Sequence, residues 1–254
     1  MDQTTIEEVA KMLVRARTTG ERLDTLPTQL KPVNFKDSCA VMDAVDRLIG
    51  DAIVGTKIAA KPGAEVVYAP LQASRVFASP ARVPRHLVPS QYIECEISFR
   101  VIRDLPPCAA EYSPAEVFDA LEACPAFELV DSRFRDLKAA MEQTPYEFYA
   151  DHIANGAMVF GAFRRDWQTF DFSKTRVAMR QGARLIIEKV GGHPTGNPAI
   201  PAVVLANLRR SSTGLPAGTL IVTGSFTGYH PVALDETVRG EFDGFGTMEA
   251  TIVG

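Results

Sequence analysis

An α+β fold is predicted by three features of the sequence. The first fifty residues carry two helical apolar patterns, and the remainder reads as short β-rich runs separated by Pro and Gly. The helical stretches that interrupt those runs do not recur as a β-α-β alternation. The N-terminal helical part is placed at 1–51 and a β-rich catalytic part at 52–254, both in one domain long enough to bury a sizeable core.

Taking the elements in order, Ile6, Val9, Ala10, Leu13 and Val14 recur at helical spacing, with Thr4 or Thr5 as N-cap before Glu7 and Glu8. They predict a helix over 4–18. A proline-marked loop from Leu26-Pro27 to Pro32-Val33 leads to a second helix over 36–50, where Ala40, Val41, Ala44, Val45, Leu48 and Ile49 form the apolar face and Gly50 ends it. Strands are expected at Ile53–Ala59, Val66–Tyr68, Arg75–Phe77, Ile93–Ile102, Ala126–Asp131, Met158–Phe163, Val177–Lys189 and Thr219–Thr223. Further helices are expected at 114–123, after Ser113-Pro114, and at 198–209, opened by Pro198 and Pro201.

The composition excludes several classes of function. With 46% hydrophobic and 23% charged residues and a net charge of -4, the chain has neither the profile of a disordered protein nor the basic balance of a nucleic-acid binder. No apolar run approaches the ~20 residues that span a bilayer. Cys39, Cys95, Cys108 and Cys124 have no CxxC spacing, and the N-terminal stretch has no signal-peptide core, so reduced thiols in a cytoplasm are expected. GxGxxG, Walker A, HExxH and Gly-x-Ser-x-Gly sequences are all absent, and Gly191-Gly192-His193 reads as a hairpin turn.

The chemistry-bearing stretch is Tyr92-Ile93-Glu94-Cys95-Glu96-Ile97-Ser98-Phe99. On a strand, Glu94 and Glu96 face the same side among residues that look buried, where two like charges repel unless a cation lies between them. A hard divalent ion would take that place; an edge strand with two solvated glutamates is the alternative. A third carboxylate is offered by Phe127-Glu128-Leu129-Val130-Asp131-Ser132-Arg133, as Glu128 or Asp131, with an ion pair at a strand end as the other reading. Lys57, in the apolar run Val54–Ala59, reads as a half-buried lysine that orients a carboxylate or acts as an acid-base group with a lowered pKa, or else as one snorkelling from an edge. The run Val222–Gly228 is either an anion-binding turn or an ordinary loop. The histidines are scattered, and His152 is read as structural.

Five segments then stand in a recognisable order: Lys36–Asp43, Gly55-Thr56-Lys57-Ile58, Ile93–Phe99, the Glu-Leu-Val-Asp-Ser-Arg run at 128–133, and Leu215–Thr219 through Gly224–Thr227. Together they resemble the 2-keto-4-pentenoate hydratase and oxalocrotonate decarboxylase group of the fumarylacetoacetate hydrolase superfamily. The resemblance implies a mixed, strongly curved β-sheet core with N-terminal helices, in homo-oligomers. It implies Mg²⁺ or Mn²⁺ held by Glu94, Glu96 and Glu128, with Asp131 as the alternative third ligand, and a 2-ketoacid substrate contacted by Lys57. The expected reaction is hydration of a 2-hydroxydienoate to a 4-hydroxy-2-ketoacid in aromatic catabolism. Decarboxylation of an oxalocrotonate-type diacid, C–C hydrolysis of a keto acid, and a non-catalytic scaffold of the same fold are the alternatives.

Two segments depart from the hydratase pattern. Tyr68–Arg75 lacks the acid that hydratases carry there, so Ser74 and Arg75 are expected in the substrate pocket, with Arg75 suited to a dicarboxylate. Ala154-Asn155-Gly156-Ala157 replaces a Ser-Ser-Gly region, so Asn155 is expected to take the serine's polar role, and Thr227 joins the list of pocket residues.

Overall fold

The computed structural model describes all 254 residues. Helix α1 (Gln3–Thr19) is capped by the Asp2 carboxylate, which accepts from the Thr5 N–H, and α2 (Phe35–Ile49) by Asn34, which accepts from Asp37 N–H. There follow β1 (Ile53–Ala59), β2 (Val67–Gln72), β3 (Val76–Ala78), β4 (Ala81–Pro84), β5 (Tyr92–Val101), α3 (Pro114–Phe118) and β6 (Leu121–Val130). Next come α4 (Leu137–Gln143), α5 (Pro145–Ala150), β7 (Asn155–Phe160), β8 (Arg176–Gln181), β9 (Arg184–Val190) and α6 (Ile200–Arg209). The chain ends with β10 (Leu220–Ser225), β11 (His230–Pro231), β12 (Val238–Phe242) and β13 (Gly246–Val253).

The strands form two sheets. The larger runs β2-β1-β10-β5-β6-β7-β3, with β11 paired to β5, and the smaller runs β4-β13-β12-β8-β9. The larger sheet is mixed: β1 lies parallel to β10 and β3 to β7, whereas β5 is antiparallel to both β10 and β6. Gly55 permits the parallel join, since a Cβ there would stand 2.3 Å from the Leu220 carbonyl oxygen. The sheet is strongly curved. In a flat sheet β1 and β6, three strand steps apart, would be separated by roughly 14 Å, yet Lys57 on β1 meets Glu128 on β6 at 2.6 Å.

One apolar cluster joins the convex side of β5 and β6 to the second sheet and α6, through Ile97, Phe99, Phe127, Leu205 and Phe242 among others. A second cluster packs α1 and α2 against β2, the end of β6 and α5, through Val9, Leu13, Val41, Val67, Val130 and Phe148. The helical N-terminal part thus covers one side of the larger sheet beside the mouth of its concavity.

The elements differ from the sequence reading at several points, and the cap of α1 is Asp2 in place of Thr4 or Thr5. The helix expected over 114–123 stops at Phe118, because from Leu121 the chain pairs with β5 over ten successive residues. Every residue of β6 is buried, so no polar alternation marks it as a strand. The run Val177–Lys189 is a hairpin that turns at Gly182, with β8 and β9 as its arms. Helices α4 and α5 and strands β4, β12 and β13 were not expected.

Candidate functional site

The register of β5 on β6 assembles the carboxylates. Glu94 stands directly opposite Glu128, and Glu96 lies two residues further along the same face of β5. Each of the three offers a carboxylate oxygen, and these oxygens lie within 4.8 Å of one another. Glu96 and Glu128 are fully buried and Glu94 is 9% exposed. The edge-strand alternative is excluded, because β5 lies between β10 and β6. Asp131 points elsewhere: it accepts a bidentate pair of hydrogen bonds from Arg22, at 2.7 and 3.1 Å, and further bonds from Ser90.

Glu128 and Glu96 are held by their neighbours. Lys57 Nζ donates to Glu128 Oε1 at 2.6 Å and to the Ile153 carbonyl at 3.2 Å, and Asn155 Nδ2 donates to the same Glu128 oxygen at 3.2 Å. A bulge in β10 after Val222 turns the Gly224 N–H toward Glu96 Oε2, 3.2 Å away. Gly224 takes φ +121 there, a conformation that suits glycine. The Val222–Gly228 run therefore does direct an N–H at an anion, and that anion is the chain's own Glu96. The Ser225 hydroxyl oxygen accepts from the Thr227 and Gly228 N–H groups, at 3.2 and 2.9 Å.

Burial and the mutual repulsion of the carboxylates dominate the electrostatics. Burial first, then the charge on Glu128, raises the Glu94 pKa to about 8. Glu96 is raised well above the usual range by burial, then by Glu128 and Glu94. The lowered pKa expected for Lys57 is corrected. Burial pushes it down, but the negative charges of Glu128, Glu94 and Glu96 outweigh that and raise it, so the amine stays an ammonium.

The residues fit a divalent cation on an observation independent of likeness. Glu96 Oε1 and Glu128 Oε2 are buried with no hydrogen-bond partner. Buried carboxylate oxygens without donors are costly, and hard carboxylate ligands suit Mg²⁺ or Mn²⁺. Glu94 and Glu96, with Lys57, line a cavity of about 370 Å³, and Glu128 is buried behind them; the far wall is Val67, Val130, Leu137, Met141, Phe148 and Ile153, with Tyr149 and Tyr229 beside them. Besides Glu94, Glu96 and Lys57, its charged lining residues are Lys61 and Glu65, both exposed and of opposite sign.

None of the four residues expected to touch substrate, Ser74, Arg75, Asn155 and Thr227, lines this cavity, although Asn155 lies beside the carboxylates through its bond to Glu128. Ser74 and Arg75 lie in a 3-10 turn after β2, whose Ala69 pairs with Lys57; three residues of strand carry the chain roughly 10 Å from that row before the turn begins. Arg75 turns its Nη1 to the carbonyls of Gly156 and Leu87 and does not line the cavity of Glu94 and Glu96. Thr227 is buried beneath the β10 turn, its hydroxyl accepting from the Cys95 N–H at 3.0 Å and donating to the Gly228 carbonyl. It braces the turn that carries Ser225. His152 is buried at Asp46, 3.0 Å away, and is not a base beside the carboxylates.

Sequence reasoning missed the cavity wall and the support behind Glu128. After β6, Arg133 is buried and its Nε donates to Asp151, whose other oxygen accepts from the Ser132 hydroxyl and the Arg133 N–H. Asp151 precedes a left-handed turn in which His152, Ile153 and Ala154 have φ near +54, with 55, 53 and 53° respectively. Such values cost of order 1 kcal/mol or more per residue outside glycine, and they aim the Ile153 carbonyl at Lys57. Asp151→Ala, which leaves the buried Arg133 guanidinium with only the longer contact to Asp131 at 3.7 Å, is expected to cost about 3 kcal/mol. Urea unfolding checks this through its midpoint.

No family model matches the chain. It is 24% identical to 2-keto-4-pentenoate hydratase of Burkholderia vietnamiensis over 98% of this chain and 98% of that protein. It is 30% identical to 2-hydroxyhexa-2,4-dienoate hydratase of Comamonas testosteroni, over 61% of this chain and 57% of that one. Among solved structures, 4-oxalocrotonate decarboxylase from Pseudomonas putida G7, complexed with magnesium and adipate, superposes with a TM-score of 0.83 at 20% identity. The superposition covers 100% of this chain and 99% of the decarboxylase, a likeness of fold.

Proposed function

We propose, for a chain that belongs to the 2-keto-4-pentenoate hydratase and 4-oxalocrotonate decarboxylase group of the fumarylacetoacetate hydrolase superfamily, the activity of a divalent-metal-dependent hydro-lyase. Its substrate is a 2-hydroxydienoate or 2-keto-enoate, and its product the 4-hydroxy-2-ketoacid formed by adding one water. The observation that carries this reading is the buried trio Glu94, Glu96 and Glu128, the first two of which line a largely apolar cavity.

Glu94, Glu96 and Glu128 hold the ion, Mg²⁺ or Mn²⁺, which when bound supplies Lewis-acid stabilisation of negative charge on the substrate's 2-oxo oxygen. Asn155 and Lys57 fix the Glu128 carboxylate by sharing one of its oxygens, leaving the second free to ligate. The Lys57 ammonium lines the cavity with two of its three N–H bonds committed to Glu128 and Ile153. The third is available to the substrate, as a hydrogen bond to its carboxylate or as a proton for the carbon chain. The Gly224 N–H holds Glu96 in place. The reduced, buried Cys95 and Cys124 are in keeping with a cytoplasmic enzyme, and a homo-oligomer is carried forward from the family resemblance.

Hydration of a monoacid is favoured over decarboxylation of a diacid by the far wall. A second carboxylate at the substrate's distal end would meet the apolar Val67, Leu137, Met141 and Phe148, and the one cation besides Lys57 on the cavity lining is the exposed, solvated Lys61. Hydrolysis is disfavoured because it needs a base beside the metal, and His152 is committed to Asp46. With Mg²⁺ present, proton NMR is expected to show kcat/KM at least about tenfold higher for hydration of 2-hydroxypenta-2,4-dienoate than for carbon dioxide loss from 4-oxalocrotonate. That margin is what burying one unpaired carboxylate costs at minimum. The opposite preference would assign a decarboxylase.

A further inference from the structure

A second concavity, of about 450 Å³, lies beyond the C-terminal end of β2, walled by Arg17, Thr18, Gln72, Ser74, Arg75 and His86 among others. Two of its walls are arginines without a counter-ion. Arg75 is only 8% exposed, and its Nη1 is pinned by the carbonyls of Gly156 at 2.7 Å and Leu87 at 3.1 Å. Arg17 is half-buried, and its Nη1 donates to Gln72 Oε1 at 2.8 Å. No carboxylate oxygen lies within 4.0 Å of either guanidinium. By contrast, the other deeply buried arginine, Arg133, is matched by Asp151, and Arg22 is matched by Asp131.

The acids around this concavity are engaged elsewhere. Asp46 accepts from Gln72 Nε2 at 2.6 Å and pairs with His152, Asp131 is taken by Arg22 and Ser90, and Asp51 accepts from the Ser74 and Ala52 N–H groups. Buried cations in proteins are ordinarily paired. Two that face one hollow without a carboxylate leave it positive and suited to a ligand that brings the missing charge. The protonation energetics agree with the geometry: burial, then the positive charges on Arg133 and Arg75, lowers Arg17, and burial with the charge on Arg133 lowers Arg75 to about 10.

We propose that the hollow between Arg17 and Arg75 binds a small oxyanion, the phosphate or carboxylate group of a metabolite, at a site separate from Glu94, Glu96 and Glu128. Guanidinium groups recognise such oxyanions through paired N–H donors. The backbone bonds of Arg75 hold its side chain ready for the ligand, and exposed His86 stands at the mouth. This gives Ser74 and Arg75, which the substrate cavity does not use, a place in a different recognition site.

The test titrates the whole, chelator-treated protein by calorimetry with inorganic phosphate and, separately, with succinate. Saturable one-site binding in the millimolar range or tighter is expected for at least one anion, and the tighter of the two identifies the source as phosphate or carboxylate. Arg17→Gln is expected to weaken it about tenfold or more, the cost of losing one charge-assisted contact. Ser74→Asp, at an exposed position that tolerates substitution, introduces a competing negative charge and is expected to weaken it similarly with an unchanged melting midpoint. Absence of saturable binding for both anions, or wild-type affinity in both variants, would overturn the proposal.

Discussion

Glu128→Gln is expected to abolish metal-dependent turnover and to destabilise the fold at the same time. The amide keeps an acceptor for Lys57 and Asn155 but removes the charge that balances an ammonium whose side chain is 11% exposed. Breaking a buried pair by neutralising one partner costs about 3–5 kcal/mol. Loss of a supporting partner of a metal ligand already costs about 10–100-fold in affinity or activity, so loss of the ligand itself should exceed that range. Glu96→Gln separates the two effects, since Glu96 has no cationic partner within 4.0 Å. It is expected to remove turnover while leaving the melting midpoint of the metal-free protein unchanged or higher. Equal destabilisation by both variants would mean that the trio serves the fold alone.

The metal-free protein is expected to lose thermal stability as pH rises from 6.5 to 8, and a divalent ion to reverse that loss. Folded Glu94 keeps its proton up to about 8, whereas the unfolded side chain releases it near 4.5. Between those values the folded state binds more protons, so raising the pH favours unfolding. His193 has the opposite sign. Its Nε2–H donates to the Thr223 carbonyl, and burial lowers its pKa to about 4, so its contribution to stability is lost as pH falls from 6.5 toward 4. The window above 6.5 therefore isolates the carboxylates. An ion that binds only the folded state replaces the proton and stabilises by mass action. Melting midpoints in chelator and in Mg²⁺ should diverge steadily between pH 6.5 and 8; parallel curves would mean that the carboxylates are not the ion's ligands.

Much of this site is legible in the sequence because strand geometry is local. Glu94 and Glu96 share a face by spacing alone, and Lys57 is conspicuous as the one cation in an apolar strand. That Glu94 stands opposite Glu128 is not local: it follows from the register of β5 on β6, which long-range packing sets. The misplacement of Ser74 and Arg75 has the same origin, since only the pairing of β2 with β1 reveals that Ala69, and not Ser74, is level with Lys57. The cavity wall from α4 and α5 was missed because two short helices split by Pro145 give too few turns for a periodic signal. For β12 and β13 the signal was present. Val238–Phe242 and the following run flank Asp243-Gly244, a hairpin dipeptide that deserved a strand assignment on each side.

The central claim, that Glu94, Glu96 and Glu128 hold a divalent ion on which turnover depends, is tested most directly with 2-hydroxypenta-2,4-dienoate followed by proton NMR. The protein is first stripped with chelator, and Mg²⁺ is then restored. The account predicts no 4-hydroxy-2-oxopentanoate from the stripped protein and its formation once Mg²⁺ is returned, with the recovery absent in Glu96→Gln. Equal product formation with and without the ion, or full recovery in Glu96→Gln, would contradict it.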